Sequence, residues 1–121
     1  MNIRELSPAT LTVANLHNSL RFYHEVFDLP MLESDVPGVK SGDQTIQFQL
    51  GTPVPTDQAV LKMTAKNKAE DIRKHFINYG VHVVSQFDSS VTATDQALTV
   101  LVEDPDHYQI EITILPPTHQ R

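Results

Sequence analysis

The segment Gln109-Ile-Glu-Ile-Thr-Ile-Leu115 holds the most suggestive carboxylate in this chain. Ile110, Ile112 and Ile114 alternate with Gln109, Glu111 and Thr113, and a period of two is the signature of a strand with one apolar and one polar face. Glu111 is thereby placed on a polar face between an amide and a hydroxyl. The same alternation over Thr45–Leu50 puts Gln47 and Gln49 on such a face, and over Ala9–Val13 and Ala59–Met63 it adds Thr10, Thr12 and Lys62. A lone carboxylate near a lysine, among neutral amides and hydroxyls, has two plausible roles. It forms a Glu–Lys pair that braces a polar cavity, or it serves as a general base or ligand anchor.

The other reactive side chains point to less. There is no cysteine, so disulfides, thiolate metal sites and a cysteine nucleophile are excluded together. Asp104 and Asp106 are spaced like paired catalytic acids, but Pro105 lies between them, and the expected role is to cap a turn. His17 and His24 share a helix face but are separated by two turns. They read as surface residues, as do His75 and His119. His82 opens a strand and is expected to be half-buried. His107 follows Asp104-Pro-Asp, where positive φ is common; histidine tolerates this better than β-branched residues and less well than glycine. Tyr108 is expected at a pocket mouth. No Ser-His-Asp set, Walker motif or dinucleotide-type glycine pattern is present.

Bulk properties narrow the field. At 121 residues the chain is the size of one domain and long enough to bury a core without staples. Its net charge of −6, with nine Lys and Arg in all, opposes binding to nucleic acid, since no cationic stripe can displace counterions. Lys62, Lys66 and Lys68 are the densest basic group, and Glu70 and Asp71 follow at once. No apolar run reaches the length of a membrane span, and Met1–Pro8 lacks the apolar stretch of a signal peptide. A cytoplasmic protein with no membrane partner is the expectation.

The elements that must position these residues can be read in order. Strands are expected at Ala9–Val13, Thr45–Leu50, Ala59–Met63, Val81–Ser85, Leu98–Val102 and Gln109–Leu115, with a weaker one between Met31 and Val39. A helix from about Leu16 to Phe27 repeats apolar residues at i+3 and i+4, with Asn15 as N-cap and Leu29-Pro30 as stop. A second helix begins near Asn67, which with Glu70 reads as a capping-box variant, and ends at Gly80. The pattern strand, helix, three strands occurs twice. Sliding the chain by 50 residues lays Leu11 on Leu61, Val13 on Met63, Val26 on Phe76, Phe27 on Ile77 and Pro30 on Gly80. Ile46-Gln-Phe likewise matches Ile110-Glu-Ile, which suggests duplication.

Three stretches carry a family resemblance: Leu11-Thr-Val-Ala-Asn-Leu-His-Asn-Ser-Leu-Arg-Phe-Tyr, Gly80 after a helix, and Asp104-Pro-Asp-His-Tyr-Gln-Ile-Glu-Ile. Together they resemble the vicinal oxygen chelate superfamily, which includes glyoxalase I, fosfomycin-resistance enzymes, extradiol dioxygenases and bleomycin-binding proteins. Ser41-Gly-Asp-Gln-Thr-Ile-Gln-Phe-Gln is similar to a small, sometimes virulence-associated bacterial glyoxalase-domain branch. The resemblance implies an α+β fold of two βαβββ modules, about 7–55 and 56–115, forming a curved mixed sheet around a groove, in a single domain spanning 1–121. It also implies a divalent metal held by His, Glu, His and Glu on the first, fourth, fifth and eighth strands of the modules. Those positions fall here on Pro8, Gln47, Gln58 and Glu111.

Only Glu111 keeps the family donor, so no tight metal or other cofactor is expected, and a hard ion would visit weakly. The expectation is a binder of a small organic ligand, metal-independent, with Thr10, Thr12, Gln47, Gln49, Gln58, Lys62, Gln109 and Thr113 lining the pocket, acting as a homodimer. The alternatives are a lyase or dioxygenase-type enzyme using Glu111 and a non-standard metal site, and an interaction module whose groove is vestigial.

Overall fold

The computed structural model describes residues 1–85 and 98–115. Its elements are β1 (Ile3–Leu6), β2 (Ala9–Val13), α1 (Leu16–Val26), β3 (Gly38–Ser41), β4 (Gln44–Leu50), β5 (Ala59–Lys66), α2 (Ala69–Tyr79), β6 (His82–Val83), β7 (Leu98–Glu103) and β8 (Gln109–Leu115). They make a five-stranded sheet of order β1-β5-β8-β7-β6 and a three-stranded sheet of order β2-β4-β3. In each sheet the strand before the helix runs parallel to the last strand of its half, β2 to β4 and β5 to β8. The fold is α+β, as the sequence pattern predicts.

Alternation decides which face of each sheet is buried. Leu11, Val13, Ile46 and Phe48 from the smaller sheet join Leu61, Met63, Val100, Val102, Ile110, Ile112 and Ile114 from the larger one. Tyr23, Val26, Phe27, Ile72 and Phe76 cover them from the helices, so both halves share one continuous apolar core. The opposite face of each sheet carries the Thr, Gln, Lys and Glu side chains. No helix among the described residues is long and apolar enough to cross a membrane.

Several boundaries differ from the sequence reading, each for a local reason. β1 was not anticipated, because Arg4 and Glu5 interrupt its apolar pattern; it is held by antiparallel pairing to β5. The region around Met31–Val39 gives β3 at Gly38–Ser41, with Met31 contributing only a bridge to Val39. Gly38 is required there, since a Cβ would lie 2.4 Å from the Ile46 carbonyl oxygen. The strand expected at Val81–Ser85 shortens to β6, because the Ser85 hydroxyl takes the Leu101 amide (2.9 Å) that a carbonyl would otherwise accept.

Asn15 caps α1 as expected, its Oδ1 accepting the Asn18 amide at 3.0 Å. The capping box at α2 does not form. Lys68 is the N-cap without a side-chain bond. Asn67 Oδ1 instead accepts the Asn2 amide at 2.9 Å, tying down the start of β1. Glu70 turns to Arg73. Gly80 closes α2 at φ +65°. The repeat offset also needs correction in the helices. The opening strands β2 and β5 match at an offset of 50, but the helices match at 53, with Tyr23 on Phe76 and C-cap Phe27 on C-cap Gly80. β5 runs three residues past Met63, from Thr64 to Lys66, and so delays α2. The offset of 50 had paired buried Phe27 with Ile77, which is 71% exposed.

A pseudo-symmetric pair of clasps joins the halves. Gln44 Oε1, at the start of β4, accepts the Leu6 amide at 3.1 Å. Tyr108 Oη, just before β8, accepts the Val54 amide at 3.2 Å. Gln44 ties β4 of the smaller sheet to β1 of the larger, and Tyr108 holds the segment that leads into β5.

The two asparagines should therefore separate in experiment. Asn15→Ala should cost about 1 kcal/mol through loss of the cap. Asn67→Ala should leave helix content unchanged by circular dichroism and instead raise amide exchange in β1. Equal loss of α2 helicity in Asn67→Ala would contradict the assignment.

Candidate functional site

The polar faces bring the sequence-selected residues into two groups. On the three-stranded sheet Thr10 lies opposite Gln47 and Thr12 opposite Gln49, with Gln49 Nε2 donating to Thr12 Oγ1 at 3.0 Å. On the five-stranded sheet Lys62 lies opposite Glu111 on parallel neighbours, and Thr113 lies between Thr64 and Thr99. Gln109 lies opposite Glu103. Glu111, Gln109, Thr113, Gln47 and Thr12 are half-buried, whereas Thr10, Gln49 and Lys62 are exposed. The expected Lys62–Glu111 ion pair is not made, and neither residue joins any ion pair among the described residues. Pro8 is exposed in the bend between β1 and β2. Gln58 is exposed in the bend before β5, its amide held by Thr56 Oγ1 at 3.2 Å.

Two clefts among the described residues lie elsewhere. One of about 350 Å³ runs between α1, Tyr79 and Pro105, and one of about 460 Å³ is lined by His17, Leu20, His24 and Met31. None of the selected residues lines either cleft.

Comparison with known proteins bears on the fold. No protein-family model matches the chain, and no curated protein matches it by sequence. Solved structures do. A virulence protein of Salmonella typhimurium shares 20% identity over 95% of this chain and 99% of its own, with a TM-score of 0.65. A fosfomycin resistance protein of Listeria monocytogenes shares 16% over 93% of each chain, at 0.67. A lactoylglutathione lyase of Agrobacterium tumefaciens shares 17% over 88% of this chain and 91% of its own, at 0.61. The chain has the vicinal oxygen chelate fold.

Within this vicinal oxygen chelate fold, the residues that sequence reasoning undervalued are in the Asp104–Tyr108 turn. Asp104 Oδ1 accepts the Asp106 and Tyr108 amides at 2.8 and 2.9 Å, and its Oδ2 accepts the Tyr23 hydroxyl at 2.8 Å. Asp106 reaches across to the first half, its carboxylate accepting the Ala14 amide at 3.3 Å and the Ser19 hydroxyl at 3.4 Å. Tyr108 does not line a pocket mouth: it is buried, and its hydroxyl donates to the Thr12 carbonyl at 2.7 Å. The turn-capping role read from Asp-Pro-Asp is correct. What escaped it is that Tyr23, one helix face away in the other half, closes the network.

The histidines also resolve. His75 is half-buried, not on the surface, with Nε2 against the Val26 carbonyl and its ring against Tyr79. It thereby serves a free carbonyl at the end of α1. His24 Nδ1 lies 2.8 Å from the Leu29 carbonyl oxygen. His82 is exposed, not half-buried, and His107 adopts φ +70° as its position predicts. His119 lies outside the described residues.

Burial pushes the Asp104 carboxyl above its ordinary 3.8, outweighing the bonds from Tyr23, Tyr108 and Asp106 that pull it down. Burial, then the Asp104 charge, pushes the Tyr23 hydroxyl well above 10.0. The sign follows. The folded chain binds the Asp104 proton more tightly than the unfolded chain, so the stability from this group is full below 3.8 and is lost as pH rises through the higher folded value. Asp104→Asn keeps an acceptor for both amides and removes the charge. Urea unfolding should place Asp104→Asn within about 1 kcal/mol of wild type at neutral pH, and wild type should gain on it toward pH 4. Asp104→Ala, which orphans the two amides, should cost about 2–4 kcal/mol. A gap between wild type and Asp104→Asn that is the same at both pH values would contradict burial as the dominant cause.

Proposed function

We propose that this chain binds a small organic ligand without a metal, on the polar sheet faces, as a cytoplasmic homodimer. The observation that carries the reading is the donor set at the four positions where the fold's relatives are expected to hold a metal. Pro8 has no side-chain donor, Gln47 and Gln58 offer neutral carboxamides, and Glu111 alone is anionic. Softer divalent ions choose imidazole and carboxylate over carboxamide, so these four residues do not fit a tight transition-metal site. No three His, Asp or Glu side chains stand together as a formed metal site among the described residues.

The same groups suit a neutral polar ligand. Thr10, Thr12, Gln47, Gln49, Gln109 and Thr113 supply hydroxyls and amides that both donate and accept. Gln49 already bonds Thr12, which fixes the orientation of one such pair. A small ligand is normally buried over most of its surface, and Thr10, Gln49 and Lys62 are exposed. A second copy laid over them would supply the missing cover.

A second reading rests on Glu111, half-buried beside Lys62 and joined to no ion pair. In that reading the chain is a lyase or dioxygenase-type enzyme in which a divalent ion uses Glu111.

The test begins with the metal content of untagged protein and continues with a thermal-shift screen of small polar compounds against chelator-treated protein. A hit whose shift is reduced in both Gln47→Ala and Gln109→Ala, with light scattering giving a dimer mass, is the expected outcome. Tight stoichiometric metal lost in Glu111→Ala would overturn the reading in favour of the enzyme.

A further inference from the structure

A second group of metal-binding side chains stands at one end of the five-stranded sheet. His82 and Glu103 are direct partners across the antiparallel pair β6–β7. Val83 and Val102, the next pair, face the core side with Val102 fully buried, so His82 and Glu103 share the polar face. His107, in the turn after β7, brings Nδ1 to 3.2 Å from Glu103 Oε1. Gln109 lies opposite Glu103 on the other side. One imidazole thus meets the carboxylate, while a second imidazole and a carboxamide stand at the two flanking register positions.

We propose that His82, Glu103 and His107 bind a divalent transition metal such as Zn²⁺ or Ni²⁺, at a place separate from Pro8, Gln47, Gln58 and Glu111. Each donor is of the right kind. Imidazole nitrogen and carboxylate oxygen are what these borderline ions prefer, and two histidines with one carboxylate leave positions for water or a ligand atom. Opposed residues on antiparallel strands have Cβ atoms about 4.5–5.5 Å apart, so an ion between His82 and Glu103 asks for no backbone movement. Glu103 is already committed to His107, its side chain 23% exposed against 75% for the histidine.

The site is not formed in the described conformation. His82 is the ligand that must turn: it is exposed and has no hydrogen-bond partner among the described residues. Rotation of an exposed side chain between staggered wells is fast and inexpensive.

The backbone at His107 adds an independent reason. A φ of +70° favours glycine, so a histidine in this turn carries a modest strain that glycine would avoid. An exposed His–Glu pair at i,i+4 returns little stability by itself. Metal ligation gives that histidine a use in proportion to its strain.

The experiment is a calorimetric titration of chelator-stripped, untagged full-length protein with NiCl₂ and with ZnCl₂. One ion per chain at micromolar affinity is expected. His82→Ala and His107→Gly should each weaken it about tenfold or more, and Glu103→Gln by a similar factor. Glu111→Gln should leave it unchanged. His107→Gly suits the backbone, so its melting temperature should equal or exceed that of wild type, and loss of binding there is not loss of fold. Zinc should also shift the imidazole resonances of both His82 and His107 by NMR. Because imidazole binds metal only when deprotonated, affinity should fall on acidification. Absence of binding, or binding unaltered by His82→Ala and His107→Gly, would overturn the proposal. Binding abolished by Glu111→Gln alone would overturn the metal-free reading of the polar face instead.

Discussion

The Asp104 carboxylate is the constraint on which the arrangement of the two halves depends. It is 4% exposed and belongs to the turn between β7 and β8, yet one of its oxygens is held by Tyr23 of α1. Burying an ionised carboxylate is costly, and three hydrogen bonds offset that cost only while Tyr23 remains in place. The turn therefore locks to the first half at an atomic position, where apolar contact alone would permit sliding. Asp106 and Tyr108 repeat the lock on either side, reaching Ala14, Ser19 and Thr12. Elsewhere the halves are tied by β1 on β5, by Gln44 on Leu6 and by His75 on the end of α1.

The lock joins the β7–β8 turn to α1 and makes no use of the polar sheet faces, where Thr10, Gln49 and Lys62 are exposed. All the apolar alternates, from Leu11 to Ile114, have been used in one shared core. What remains outward is mostly hydroxyls and amides with a few charges, and Leu101 beside Glu111. On the smaller sheet the cross-strand pairs are Thr10 with Gln47 and Thr12 with Gln49; on the larger, Lys62 lies beside Glu111. Such a surface has little apolar area to drive a ligand in, so selectivity under the binding reading has to come from matched donors and acceptors under a cover.

Much of this was legible in the residues, and the misses have common causes. Period-two and period-3.6 patterns gave the buried strands and both helices, because burial on one face leaves that trace in local sequence. Parity put Gln47 and Thr10 on polar faces, while their pairing is set by the register of β2 on β4. The misses are long-range. Asn67 looked like a cap, but an amide 65 residues away in sequence, that of Asn2, competed for its side chain and won. β1 carries charges at Arg4 and Glu5 and exists through its pairing with β5, which no local window contains. Tyr108 has the composition of a pocket residue, and only the approach of Thr12 from the other half shows why its hydroxyl points inward. The expected Lys62–Glu111 ion pair failed for another reason. Register fixes backbone neighbours, while an exposed lysine retains rotamer freedom that a solvated ion pair does not repay.

The same logic explains where donor chemistry has gone on the larger sheet. Along β8, Gln109 and Glu111 share a face two residues apart, and their β7 neighbours are Glu103 and Leu101. Beside Glu111, then, stand Leu101 and the ammonium of Lys62, neither of which can ligate a cation. Beside Gln109 stand Glu103 and, one strand further, His82, with His107 closing from the turn. Among the described residues, a cation entering this face meets imidazoles at the sheet end and a lysine at the centre. Attraction and repulsion act in the same direction. Under the binding reading the centre suits neutral polar molecules, and under the metal proposal the row from His82 to Gln109 is where a cation would stop.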